Sequence, residues 1–178
     1  MPAYHSSFNA VSTEAHCQVV GNFPLLPLTT SSRGPAPSNP AGQMDIVDEA
    51  ISIFRANVFY RNFEFQGNAD RALCWIILYI SDCLNIIQKS SSKIDANKRL
   101  LTAAADANFA IPGDGNFVFG ALYQKPASPS DANLLRQYMS QLRHEVGTRL
   151  VSIVYGDADV PSKWWMCFTR RKFMNKSL

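Results

Sequence analysis

At 178 residues, 47% apolar and 17% charged, the chain has enough material for one domain with a sizeable core and too little for two. Its formal net charge of +3 is too mild for a dedicated nucleic-acid binder, but the distribution is uneven. Five cations and no carboxylate follow residue 159, which leaves residues 1–159 with a net charge of −2.

Residues 1–44 hold six of the ten prolines and two formal charges, Glu14 and Arg33. The stretch GNFPLLPL (residues 21–28) is too apolar to stay solvated, so this region reads as an extended arm laid over a surface, with Leu25 and Leu26 as contact residues. RGPAPSNPAG then reads as a proline-stiffened connector. The first helix opens at DIVDEAISIF, with Asp45 as its N-cap and Asp48 and Glu49 at the positive end of the dipole. Val47, Ile51, Phe54 and Val58 form its apolar stripe, and Gly67 stops it. Asn68 caps the next helix, ADRALCWIILYISDCLNIIQK, which is apolar on every face over residues 72–80 and should be the core axis.

A shorter amphipathic segment at about residues 94–107 follows a serine break. NFAIPGDGNF and YQKPASP make a long Gly/Pro loop with a short extended piece near residues 117–123. The last long helix starts at SPSD, where Ser128 caps, Pro129 takes the first position and Asp131 completes a box-like pair. Leu135, Tyr138, Leu142, Val146 and Leu150 mark its core face. Gly156 and Pro161 end it, and Ser162 caps a short final helix through Arg170. The pattern predicts an all-α fold: a compact bundle of four to five helices around a central buried helix, with the extended arm at residues 1–44 and a helical domain at residues 45–178.

Chemistry is scarce in this pattern. Cys74 and Cys83 fall on opposite sides of one helix and cannot bridge, and no Cys/His spacing suits a metal. MPAYHSSF lacks the features of a secretory signal, and the longest apolar run is far short of a membrane span, so the chain reads as cytosolic. The lone GxG at Gly113 and Gly115 reads as a turn. His144 and Glu145 lack the second histidine of a zinc helix and read as a solvated face, and Asp48 and Glu49 read as dipole partners rather than a catalytic pair. No enzyme signature and no cofactor motif is present.

The final stretch, PSKWWMCFTRRKFMNKSL, carries the sharper signal. Adjacent Trp164 and Trp165 point about 100° apart on a helix and cannot both face one core. Three readings follow. The aromatics close the core while the cations are solvated; the stretch is a basic amphipathic element at a lipid surface; or it is a protein interface, since Trp and Arg concentrate at binding hot spots. On the interface reading the contact residues are Trp164, Trp165, Phe168, Arg170, Arg171, Lys172 and Lys176. Nucleic acid shares the basic-aromatic signature but no binding motif accompanies it.

Through PAYHSSF, LLPL, RGPAP, DIVDEAI, ADRALCWIILYISDCL, NFAIPGDGNF, YMSQLRHEVGTRL and the C-terminal stretch, the chain resembles the 21 kDa subunit family, subunit 3, of the actin-related protein 2/3 complex. The resemblance runs nearly end to end and is weakest at residues 9–17 and 90–105. It implies a non-catalytic, mostly helical subunit of a seven-subunit assembly that nucleates branched actin filaments in the cytoplasm and cortical cytoskeleton. It further implies no cofactor, since nucleotide belongs to the two actin-related subunits. The implied partners are chiefly the actin-related protein 3 subunit, actin-related protein 2 in the active state, other complex subunits and filament actin, without nucleic acid or membrane insertion. Set apart from the resemblance, the alternative is a stand-alone helical adaptor that binds an acidic partner or membrane surface through its basic aromatic C-terminus.

Overall fold

The computed structural model describes residues 3–178. Helix α1 (Ile46–Asn57) begins with a reciprocal capping box. Asp45 accepts from the amides of Val47 and Asp48, and Asp48 accepts from the Asp45 amide, which satisfies donors that a helix start leaves open. Its stripe Val47, Ile51, Phe54 and Val58 is buried. The helix stops at Asn57 and does not continue to Gly67. Phe59, Tyr60, Phe63 and Phe65 follow, and aromatic residues gain little from helix there, while tertiary contacts pull them apart. Phe63 turns into the core, Phe59 stays exposed, and the Tyr60 carbonyl accepts the Met174 amide at 2.8 Å.

Helix α2 (Asn68–Gln88) is the axis of the molecule. Every residue from 72 to 80 is at most 2% exposed. Its neighbours are α1, α3 (Lys93–Ala105), α4 (Pro129–Tyr155) and the N-terminal region. Gly67, not Asn68, is its N-cap. A Cβ at Gly67 would collide with the Asn9 side chain, so glycine permits the N-terminal segment to seat against the helix start. In α4 the predicted stripe from Leu135 to Leu150 is fully buried, and Ser128 caps the helix by accepting from the Asp131 amide at 3.1 Å. Helix α3, capped by Ser92, lies along α4 and buries only Ala96, Leu100 and Ala104.

The fold is mostly helical and not wholly α, because the N-terminal region carries a small antiparallel sheet. Strand β1 (Val19–Val20) pairs with β2 (Phe23–Pro24), and single-turn 3₁₀ segments occupy Ser7–Asn9 and Val11–Thr13. Near residues 117–123, where the sequence predicts an extended piece, the chain forms a 3₁₀ turn at Gly120–Leu122.

The N-terminal region is stitched to the helices by side chains that serve its backbone. Asn57 exchanges two hydrogen bonds with the main chain of Tyr4, at 3.0 and 2.7 Å. Glu49 accepts from the Ser6 hydroxyl and from both the amide and hydroxyl of Ser7, at 2.6 to 2.7 Å. Asp70, fully buried, accepts from the amides of Ser6 and Gln66 and from Asn9, and contacts the His5 ring at 2.8 Å. Farther along, a polar row on α4 receives residues 26–36. Tyr138 bonds both main-chain groups of Leu26, Gln141 holds Ala36 and Ser32, Glu145 accepts from Thr30, and Arg149 donates to the Thr29 carbonyl. These four recur at spacings of three and four, so they form one stripe along the helix. Glu145 is therefore 8% exposed and engaged, not part of a solvated face, and Glu49 does more than complement a dipole.

Candidate interaction surface

The C-terminal segment leaves α4 at Gly156 and folds back when the Ser162 amide donates to the Val154 carbonyl at 2.9 Å. Helix α5 (Lys163–Met166) is a single turn that does not reach Arg170; successive tight turns replace it from Cys167 onward. This irregular path turns Trp165, Thr169 and Phe173 inward and leaves Trp164 and Arg170 to Lys172 exposed. Trp165, 8% exposed, stacks on Phe54 of α1 at 6.1 Å and 18°. Phe168 meets Phe54 and Phe59 edge-on, and Phe173, fully buried, meets Phe63 at 5.7 Å. After Phe173, the Met174 amide donates to the Tyr60 carbonyl, and Met174 and Asn175 then turn the chain with left-handed φ values of 52° and 56°.

The outward side has the opposite character. Trp164 is 67% exposed, with the Lys163 ammonium over its ring at 5.3 Å. Phe59 is also exposed, and the Arg171 guanidinium covers its ring at 5.2 Å. Beside it a shallow depression is lined by Val58, Phe59, Arg61, Arg170, Arg171, Lys172 and Asn175. No carboxylate lines it, and among the described residues none of its four cations joins an ion pair. The contrast is Arg149, whose guanidinium bonds Asp45, Asp48 and Glu145. A cation spent in this way has nothing left for a partner. The depression thus combines unpaired positive charge with an exposed phenylalanine, and Trp164 is a separate exposed ring beside Lys163.

Of the residues marked from the sequence, Trp164, Arg170, Arg171 and Lys172 are exposed, Phe168 and Lys176 are half-buried, and Trp165 faces inward. Leu25 and Leu26 are 1% and 0% exposed and belong to the chain's own core, so they have no surface to offer. Phe59 and Arg61 also belong to this surface, and their signal in the sequence is faint, a single arginine among three aromatics in NVFYRNF. The Gly113 and Gly115 pair sits in a turn closed by the Ile111 amide donating to Asp114 at 2.9 Å. Among the described residues no helix is long and apolar enough to cross a membrane, and no cluster of three metal-ligating side chains occurs.

The profile of P21-Arc, described as the ARP2/3 complex ARPC3 (21 kDa) subunit, matches residues 1–178. The chain belongs to the P21-Arc family. Proteins named actin-related protein 2/3 complex subunit 3 are similar to it along their whole length. The Schizosaccharomyces pombe protein is 48% identical over all of both chains. That of Dictyostelium discoideum is 48% identical over 98% of this chain and 99% of its own. That of Arabidopsis thaliana is 39% identical over 97% of each. The family match covers the N-terminal region, the helices and the basic end together.

Proposed function

We propose that the chain is a non-catalytic structural subunit of the actin-related protein 2/3 complex, supporting actin filament nucleation and branching in the cytoplasmic cytoskeleton by contacting the actin-related subunits. The observation that carries this reading, beside family membership, is the unpaired basic depression with exposed Phe59, in a segment that also leaves Trp164 exposed while Trp165 and Phe173 are committed to the core. Actin-related proteins are acidic, and a cluster of free cations steers association with such a face and fixes its orientation. The actin-related protein 3 subunit is the chief partner on this reading, with actin-related protein 2 approaching in the active state.

The test is to purify the complex from cells lacking this chain and count branches by single-filament microscopy, adding back the intact protein or Trp164→Ala with Arg171→Ala. Restoration by the intact protein and a clear shortfall with the double variant support the reading. Full branching without the chain contradicts it.

A further inference from the structure

Two hollows in the surface are joined by one short stretch of the C-terminal segment. Lys172 and Asn175 line the basic depression beside Phe59. Just beyond them, Ser177 and Leu178 line a cleft of about 310 Å³, whose other walls include Trp75 and Tyr79 of α2, Phe109 and Phe117 of the NFAIPGDGNF loop and Arg143 of α4. Lys176, half-buried, links the two.

The cleft is a seat built in advance. Arg136 donates to the carbonyls of Ala107 and Phe109, at 3.2 and 2.6 Å. Arg143 donates to those of Ala103 and Asp106, each at 2.7 Å, and its guanidinium lies over the Phe109 ring at 4.4 Å. A wall already held in place loses little entropy when a side chain settles on it. Leu178 is 46% exposed, so it rests at the mouth of this cleft and is not sunk into the core.

The backbone between the two hollows needs holding. Among the described residues, Met174 and Asn175 are the only ones other than glycine with positive φ, 52° and 56°. Asparagine visits this left-handed region readily and methionine does not. Such a conformation persists only where its surroundings fix it from both sides. Before the turn and within it, the Met174 amide donates to the Tyr60 carbonyl at 2.8 Å, the Asn175 amide to that of Lys172 at 3.3 Å and the Lys176 amide to that of Phe173 at 2.9 Å. After the turn, the chain comes to rest at the cleft.

We propose that residues 176–178 are a strap: seated at the cleft through Leu178, they hold the left-handed turn at Met174 and Asn175 and so set Lys172 and Asn175 in place in the basic depression. An apolar seat does this without neutralising any cation of the depression. The consequence for assembly rests on the reading of the depression as a partner surface, whereas the strap itself does not.

The experiment measures hydrogen exchange of the Met174 and Lys176 amides in the full chain, complex-bound or refolded, with Leu178→Ser and with the apolar replacement Leu178→Met. Position 178 is exposed, so both variants should fold. Leu178→Ser should speed exchange of these two amides about tenfold, and Leu178→Met should leave it near the original rate. Unchanged exchange in Leu178→Ser, or an equal rise in Leu178→Met, would overturn the strap. Incorporation into complex at about 50 mM salt supplies the second reading, beside the chain carrying Arg170→Ala, Arg171→Ala and Lys172→Ala. Slower incorporation of both chains supports the positioning role. If the cation variant is slowed and Leu178→Ser is not, although its turn is released, that role is overturned. If neither is slowed, the partner surface is what fails, and the exchange rates alone decide the strap.

Discussion

The two ends of the chain contain almost no α-helix, yet they are ordered by different chemistry. In the N-terminal region the polar groups are consumed internally: Glu49, Asn57 and Asp70 serve residues 4–9, and Tyr138, Gln141, Glu145 and Arg149 serve residues 26–36. In the C-terminal segment the side chains consumed are chiefly aromatic rings, on Phe54 and Phe63, beside main-chain bonds to Val154 and Tyr60, while Arg170, Arg171 and Lys172 stay exposed and outside any ion pair. A segment that spends its polar groups at home is scaffold. One that is anchored by rings and keeps its charges free is positioned to meet something else. That difference, more than the absence of helix, separates the two ends.

Both ends depend on the axis beneath them, so the largest effect should come from α2. Ile77 is fully buried; Ile77→Asp places an unpaired charge there and should cost at least about 5 kcal/mol, the order of a whole domain's stability. Loss of soluble subunit, and of its incorporation into complex, is the expected outcome; a soluble, incorporated variant would refute the axis assignment.

Next in size is the inner ring of the C-terminal segment. Trp165→Ala removes a ring stacked on Phe54 and should cost about 3–5 kcal/mol, whereas Trp164→Ala, at an exposed site, should stay within about 0.5 kcal/mol. Denaturant melts of complex-bound or refolded subunit would show whether adjacent tryptophans differ in this way.

The clamp on the N-terminal region comes third. Asp70→Ala strands several buried donors and should cost about 2–4 kcal/mol. It should also convert residues 4–18 from protease-resistant to rapidly clipped in the assembled state, which limited proteolysis with mass spectrometry would detect. Equal clipping of the unsubstituted protein would mean that the clamp does not hold.

A smaller and pH-dependent effect belongs to Asp45. Burial alone would raise its pKa, but the hydrogen bonds from Arg149, Thr29 and Asp48, with the Arg149 charge, outweigh it and hold the carboxyl below its ordinary value. A carboxyl lowered in the folded state contributes stability that is complete above its unfolded pKa of about 3.9 and is lost as the pH falls through the folded value. Asp45→Asn should therefore flatten the acid limb of the stability profile below about pH 4.

Much of the scaffold was legible in the sequence because its signals are periodic. The stripes Val47, Ile51, Phe54, Val58 and Leu135 to Leu150, the all-apolar run of α2 and the caps Asp45 and Ser128 each declare themselves within a dozen residues. What the sequence hid is carried by contacts across the chain. Glu49, Asp70 and Glu145 look like ordinary surface carboxylates until Ser6, Ser7, Asn9 and Thr30 are brought to them from 40 or more residues away. Leu25 and Leu26 misled for the same reason: an apolar stretch signals burial, but not whether its own chain or a neighbour covers it. That Trp164 and Trp165 do not both face the core follows from helical spacing, but which of them turns inward is decided by the contact with Phe54, and Phe59 and Arg61 reach the depression only because α1 ends early.

If the basic end docks an acidic partner, the measurement that shows it most directly is incorporation of Arg170→Ala, Arg171→Ala and Lys172→Ala, combined, into complex at about 50 mM and about 300 mM salt. The triple variant should keep its stability within about 0.5 kcal/mol and incorporate more slowly than the intact chain at low salt. The difference should shrink at high salt, where screening has already weakened the intact surface. Equal incorporation of the two at low salt would contradict that docking and leave the three cations as solvated charges with no partner.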